Sequence, residues 1–68
     1  MEIRQRLAER VKAFRKTRGW SQEELADRAG LHRTFVSQIE RATKRSTIDT
    51  VEKVAKALEV TCGQLLDA

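Results

Sequence analysis

Four polar side chains between residues 33 and 38 are the groups in this sequence best placed to bind another molecule. They fall within an arc of roughly 140° if the segment is a helix that turns by about 100° per residue: Arg33, Thr34, Ser37 and Gln38. A guanidinium, two hydroxyls and an amide supply hydrogen-bond donors and acceptors. A face of this kind indicates recognition of a polar partner.

Positive charge is concentrated near these side chains and in the first twenty residues. Residues 1–20 carry seven Lys or Arg against two acids, and residues 32–47 have a net charge of +3, whereas residues 21–31 and 48–68 each sum to −2. A basic surface beside an exposed polar helix is typical of nucleic-acid binding. Charge on a small domain also serves solubility, so the charge alone does not separate the two interpretations.

Two short helices joined by a tight corner are predicted over residues 22–41. Small and apolar residues recur at helical spacing in the first helix, which lets another helix approach closely: Leu25, Ala26 and Ala29. Gly30 follows where the backbone must reverse through positive φ. In the second helix, predicted over about 33–41, Val36 and Ile39 point inward while the polar arc faces out.

Three further helices are predicted to hold this pair. The first runs from about Ile3 to Arg18, and its predicted buried stripe consists of apolar residues spaced by four, four and three: Ile3, Leu7, Val11 and Phe14. The fourth runs from Ile48 to Leu58, with Ile48 facing the core, and a last short helix follows a capping box at residues 61–64. The predicted fold is all-α, a compact five-helix bundle that forms one domain over residues 1–68.

Composition and missing motifs exclude several classes of protein. The chain has 68 residues, 40% of them apolar, and no run of 18 apolar residues that could span a membrane. Its N-terminus lacks the apolar core of an export signal, and Cys62 is the single cysteine, so we expect a cytoplasmic protein. No catalytic, phosphate-loop or metal-ligand pattern is present. We therefore expect no enzymatic activity, cofactor, metal site or small-molecule ligand.

The order of residues from 22 to 41, QEELADRAGLHRTFVSQIER, resembles the helix-turn-helix of the phage repressor and Cro class of bacterial regulators, also called the xenobiotic-response-element (XRE) family. The matching positions lie in both helices and in the turn: Gln22, Ala26, Gly30, Val36 and Ile39. The resemblance extends over roughly residues 6–66. The RTFVSQIER segment, with the basic loop and Thr-Ile after it, is most similar to controller proteins of restriction–modification systems, although generic repressors of the class share much of it.

This resemblance implies a sequence-specific transcription regulator that binds a palindromic operator in double-stranded DNA as a homodimer, with residues 33–41 in the major groove. Base edges would be read by Arg33, Thr34, Ser37 and Gln38. Backbone phosphates would be held by Gln22, His32, Lys44, Arg45 and Thr47. Without the resemblance, Gln22 reads as an ordinary exposed residue at a helix start, and His32 as an idle surface side chain.

The family pattern also implies an ion pair between Arg15 and Glu40, which would tie the first helix to the end of the recognition helix. The alternative is a pair of solvated charges. Three residues depart from the pattern: His32 is a poor N-cap, while Ala42 and Glu59 stand where the family often has glycine. Trp20 reads as a core wedge rather than a base-stacking aromatic, and Phe35 as partly buried.

The C-terminal segment suggests where a homodimer would form. Leu65 and Leu66 are adjacent, so one helical turn cannot bury both in the same core. The predicted interface consists of Val60, Cys62, Leu65 and Leu66, with packing inside the chain as the alternative. Two other functions stay open: an antitoxin-like module with a protein partner, and the N-terminal DNA-binding domain of a longer repressor. A pure protein-interaction or structural domain that has lost DNA binding should lack cations beside the recognition helix, whereas this chain keeps Arg33, Lys44 and Arg45.

Overall fold

Five α-helices make up the part of the chain described by the structure, a computed structural model that covers residues 2–42 and 47–66. They are α1 (Ile3–Thr17), α2 (Gln22–Ala29), α3 (Arg33–Glu40), α4 (Ile48–Leu58) and α5 (Cys62–Leu66). No strand occurs in these two ranges. The predicted all-α bundle with a helix-turn-helix at the second and third helices is confirmed.

Polar N-caps determine where the helices begin, because each supplies an acceptor to a backbone N–H that lacks a helical partner. Ser21 accepts from the Glu24 N–H at 3.0 Å, and Thr47 accepts from the Thr50 N–H at 3.1 Å. The sequence Ser21-Gln-Glu-Glu24 has the pattern of a capping box, but only half of the box forms, since the Glu24 carboxylate pairs with Arg28 at 2.8 Å. The box of residues 61–64 is complete in both directions.

Residues in the left-handed region end two of the helices. Gly30 has φ +69° and caps α2, which lets the chain turn into α3. Glu59 caps α4 with φ +59°, and Ala42, just after α3, has φ +54°. Both replace the glycine that this conformation favours, because a Cβ is crowded there by the backbone.

The core lies between the faces of α1 to α5 that carry apolar side chains at helical spacing. Its fully or almost fully buried members come from all five helices: Val11, Leu25, Val36, Val54, Leu58 and Leu65. Trp20 packs against this core, with the Arg28 guanidinium 4.4 Å from its ring centroid. It is therefore a wedge at the core's edge, as predicted.

Two residues predicted to be buried are exposed instead. Ile3 is 56% exposed and Ile48 is 72% exposed. Each is the first residue of its helix, and together with the half-buried Leu66 they line an open apolar groove of about 420 Å³. The prediction was wrong for these two residues because helical spacing places a side chain on a face but does not show how far the neighbouring helices extend along it.

The short α5 is held against α1 by packing and by hydrogen bonds. Leu65 is fully buried, whereas Leu66 is half-buried. Arg6 and Arg10 of α1 donate to the carbonyl oxygens of Leu66 and Gln64, at 3.1 and 2.6 Å. Leu65 was therefore wrongly included in the predicted dimer interface, because the core of its own chain takes up its entire side chain.

Candidate nucleic-acid interface

The outer face of α3 carries the four residues singled out from the sequence. Arg33 and Thr34 are exposed, and Ser37 and Gln38 are partly exposed. The opposite face is anchored by Val36 and Ile39, which are buried in the core. Phe35, at the edge of the outer face, is about half exposed (49%). It is therefore more exposed than the sequence analysis predicted. The helix ends at Glu40, with Arg41 as its cap.

His32 is the N-cap of this helix. Its Nδ1 accepts a hydrogen bond from the backbone N–H of Thr34 at 3.1 Å, in the way that a Ser or Asp oxygen does in an ordinary cap. Describing His32 as a poor cap or an idle side chain was therefore wrong. Cap statistics favour small oxygen-bearing residues and give little weight to an imidazole, which can serve only while Nδ1 carries no proton.

Arg15 and Glu40 form an ion pair that links α1 to the end of α3. Arg15 Nε lies 2.7 Å from Glu40 Oε2, and Arg15 Nη2 lies 3.0 Å from Oε1. Their side chains are 12% and 2% exposed. The hydrogen bonds from Arg15 to Glu40 raise the pKa of Arg15 above its ordinary value, and Arg15 Nη1 also donates to the Trp20 carbonyl at 2.7 Å.

Gln22 adds a third element to this network. It is the first residue of α2, is half-buried, and its Nε2 donates to Glu40 Oε1 at 3.2 Å. The sequence prediction gave Gln22 a role towards DNA and missed this contact. Nothing local signals it, because the two residues are 18 positions apart and no spacing rule joins the start of one helix to the end of another.

The other residues predicted to hold the DNA backbone divide into two groups. Thr47 is exposed, and its hydroxyl both caps α4 and lies 3.0 Å from the Thr50 hydroxyl. Lys44 and Arg45 lie outside the described residues.

Within the described ranges, no group of three or more His, Cys, Asp or Glu side chains is placed to hold a metal ion. None of the helices described is long and apolar enough to cross a membrane.

The predicted dimer residues differ in how much surface they offer. Val60, Cys62 and Leu66 are half-buried and pack on the edge of the core, while Leu65 offers none. Leu66 also borders the apolar groove between the starts of α1 and α4. The exposed apolar surface at this end of the molecule is thus centred on Ile3, Ile48 and Leu66.

Comparison with protein families and known proteins places the chain among bacterial regulators. Residues 11–65 match the model of the helix-turn-helix family HTH_3. A hypothetical transcription factor of Neisseria meningitidis is 46% identical over 65 residues, which cover 96% of this chain and 61% of that protein. The control protein C.SmaI of Serratia marcescens is 41% identical, over 97% of this chain and 79% of its own length.

Comparison with solved structures also finds regulators among the proteins similar to this chain. The restriction–modification controller protein C.AhdI of Aeromonas hydrophila has a TM-score of 0.88 and 30% identity, covering 93% of this chain and 96% of that one. SinR, a regulator of biofilm formation solved in complex with DNA, has a TM-score of 0.83 and 39% identity, covering 90% of this chain and 98% of that one. The present chain spans only 61% of the length of its Neisseria relative.

Proposed function

The chain belongs to the HTH_3 helix-turn-helix family of transcription regulators, and from this premise we propose that it binds a palindromic operator in double-stranded DNA as a homodimer. Each copy lays α3 in the major groove. The two copies of α3 lie about one helical turn of DNA, roughly 34 Å, apart. Binding near a promoter then blocks RNA polymerase or, from an upstream site, recruits it.

The observation that carries this proposal is the division of α3 into a buried face and a polar outer face. Because Val36 and Ile39 are anchored in the core, the outer side chains are held on a rigid support. Arg33 can donate to O6 and N7 of a guanine, Gln38 can pair with N6 and N7 of an adenine, and the Thr34 methyl group can touch that of thymine. Ser37 lies beside them and supplies a hydroxyl to either kind of base.

Backbone phosphates are assigned to residues at the two sides of α3. Gln22 opens α2, where backbone N–H groups and the helix dipole favour an anion. His32 and Thr47 are exposed caps of α3 and α4. Lys44 and Arg45 are included among the phosphate contacts because of their positions in the sequence alone. These contacts orient the protein on the duplex but carry no base preference.

The homodimer is supported by the exposed apolar end of the molecule. Apolar side chains at this end are in contact with water, and association with a second copy would bury them: Ile3, Ile48 and Leu66. Val60 and Cys62 are assigned to the same interface. The Cα positions span 27 × 20 × 19 Å, so two adjacent copies are of a size to reach two successive major grooves on one side of the duplex.

Selection of bound sites from a pool of random duplexes tests the proposal most directly. A recovered palindrome with half-site centres about one turn apart supports a homodimer that uses α3 in the major groove. Recovery of a single unrepeated site would contradict the dimer, and recovery of no preferred sequence would contradict base reading by the outer face of α3. Sedimentation of the same protein reports whether it dimerises without DNA.

A second function, with another protein as the main partner, is favoured by the same apolar groove. SinR, to which the chain is similar, has also been solved as a complex with the protein SinI. An antitoxin-like module of this type would expose an apolar surface for its partner and remain monomeric without it. For the remaining alternative, the N-terminal domain of a longer repressor, sedimentation shows whether the 68-residue chain dimerises unaided.

A further inference from the structure

Glu40 is the one charged residue that is buried among those the structure describes. Its carboxylate accepts three hydrogen bonds: two from Arg15, which reach both oxygens, and one from Gln22 Nε2 to Oε1. A guanidinium that donates to both oxygens of a carboxylate already compensates its negative charge. The bond from Gln22 is therefore additional to what the ion pair requires.

This additional bond fixes how the Gln22 amide is turned. An ionised carboxylate only accepts hydrogen bonds, so Gln22 must present its Nε2 to Glu40 rather than its Oε1. One of the two possible orientations of the amide is thereby selected, and the second N–H of Nε2 is left for another partner. Because Gln22 is the first residue of α2, that partner would approach where the helix dipole favours an anion.

We infer that Glu40 is a positioning residue for DNA binding, which holds the Gln22 amide ready to donate to a backbone phosphate. The inference rests on the proposed function. It means that Glu40, at the end of α3, takes part in the DNA contact that α2 makes through Gln22. A side chain already held in its binding orientation loses less conformational entropy when the duplex arrives. The same carboxylate thus ties together α1, α2 and α3 and orients a DNA-binding group.

Side-chain amide NMR of the unaltered protein tests the positioning without any substitution. The Gln22 amide should be rigid on the picosecond-to-nanosecond timescale and its protons should exchange slowly with water, whereas the amide of Gln5, an exposed residue of α1, should be mobile. Equal mobility of the two amides would overturn the inference. This measurement does not depend on whether an altered Glu40 permits folding.

A double-mutant cycle tests the consequence for DNA. The variants are Gln22→Ala, Glu40→Gln and their combination, measured on a short duplex of mixed sequence at low salt, where circular dichroism shows each to be folded. Gln22→Ala should weaken binding about tenfold, the value of one hydrogen bond to a charged group. Glu40→Gln should weaken it by a similar factor in the parent but by less than about twofold when Gln22 is already Ala.

Other outcomes separate failure of the positioning role from failure of the proposed function. If Glu40→Gln weakens binding equally in both backgrounds, Glu40 acts only through the stability or placement of α3, and the positioning role is wrong. If the unaltered protein binds no duplex, the proposed function itself is wrong. Gln5→Ala is the matched control for loss of an amide, and it should leave DNA affinity unchanged.

Discussion

At the scale of single residues, Arg33 and Lys44 are proposed to contact different parts of the duplex, so their removal should have different effects. Arg33→Ala should weaken binding to the preferred operator by about 1–3 kcal/mol and relax selectivity at one base pair. Lys44→Ala should weaken binding to all sequences alike and reduce the slope of log affinity against log salt by about one unit. Gel-shift titrations on matched and mismatched operators at several salt concentrations distinguish the two. Equal losses on every sequence for both variants would contradict the assignment.

His32 provides a prediction about helix capping, because its Nδ1 accepts a hydrogen bond from the Thr34 N–H at the start of α3. His32→Ala removes this acceptor and should lower the free energy of unfolding by about 1 kcal/mol, whereas His32→Ser, which keeps an N-cap, should leave it nearly unchanged. Urea unfolding of the parent and both variants is the measurement. Equal stability of the parent and His32→Ala would show that the imidazole does not act as the cap.

Glu59 and Ala42 hold left-handed backbone conformations that cost less for glycine. Glu59→Gly should therefore raise the free energy of unfolding by about 0.5–1 kcal/mol, and Ala42→Gly should do the same. Ala13→Gly, at an exposed position inside α1, is the matched control and should lower it by about 1 kcal/mol. Thermal or urea unfolding checks all three. A loss of stability at position 59 would mean that the residue is not left-handed in solution.

At the scale of helices, the pair of the largely buried Arg15 and the buried Glu40 fixes α3 against α1. Arg15→Ala should lower the free energy of unfolding by about 3 kcal/mol, because it leaves a carboxylate buried without its guanidinium. The matched control is Glu24→Gln, which breaks a pair with Arg28 whose side chains are about half exposed. This control should cost less than about 1 kcal/mol. Similar losses for the two variants in urea unfolding would show that burial does not strengthen the first pair.

Most helix boundaries could be predicted because they depend on neighbouring residues. Ser21 and Gly30 signal where α2 begins and ends, and the structure places its caps at these positions. Three features could not be predicted, since they depend on how distant elements meet: the exposure of Ile3 and Ile48, and the bond from Gln22 to Glu40. Local periodicity shows which face a residue occupies, but only the assembled bundle shows whether another helix covers it.

At the scale of the whole molecule, the proposed homodimer would join the apolar groove, as the contact between copies, to the polar face of α3, as the contact with a palindromic site. A homodimer presents two copies of α3 in fixed relation only if the contact between copies is rigid. Ile48 lies at the start of the helix that follows α3, and it is the most exposed of the large apolar side chains described. It is therefore the residue at which association can be weakened with the least harm to folding.

Ile48→Ser should leave the free energy of unfolding of the monomer nearly unchanged but weaken self-association by about 1–2 kcal/mol, the transfer free energy of a partly buried Ile. Sedimentation equilibrium over a range of protein concentrations measures this change. Lys53→Ser, at another exposed position of α4 that does not line the groove, is the matched control and should dimerise like the parent. Affinity for a palindromic operator should fall with dimerisation in Ile48→Ser, while affinity for an isolated half-site should not. Unchanged dimerisation would place the contact between copies elsewhere on the bundle.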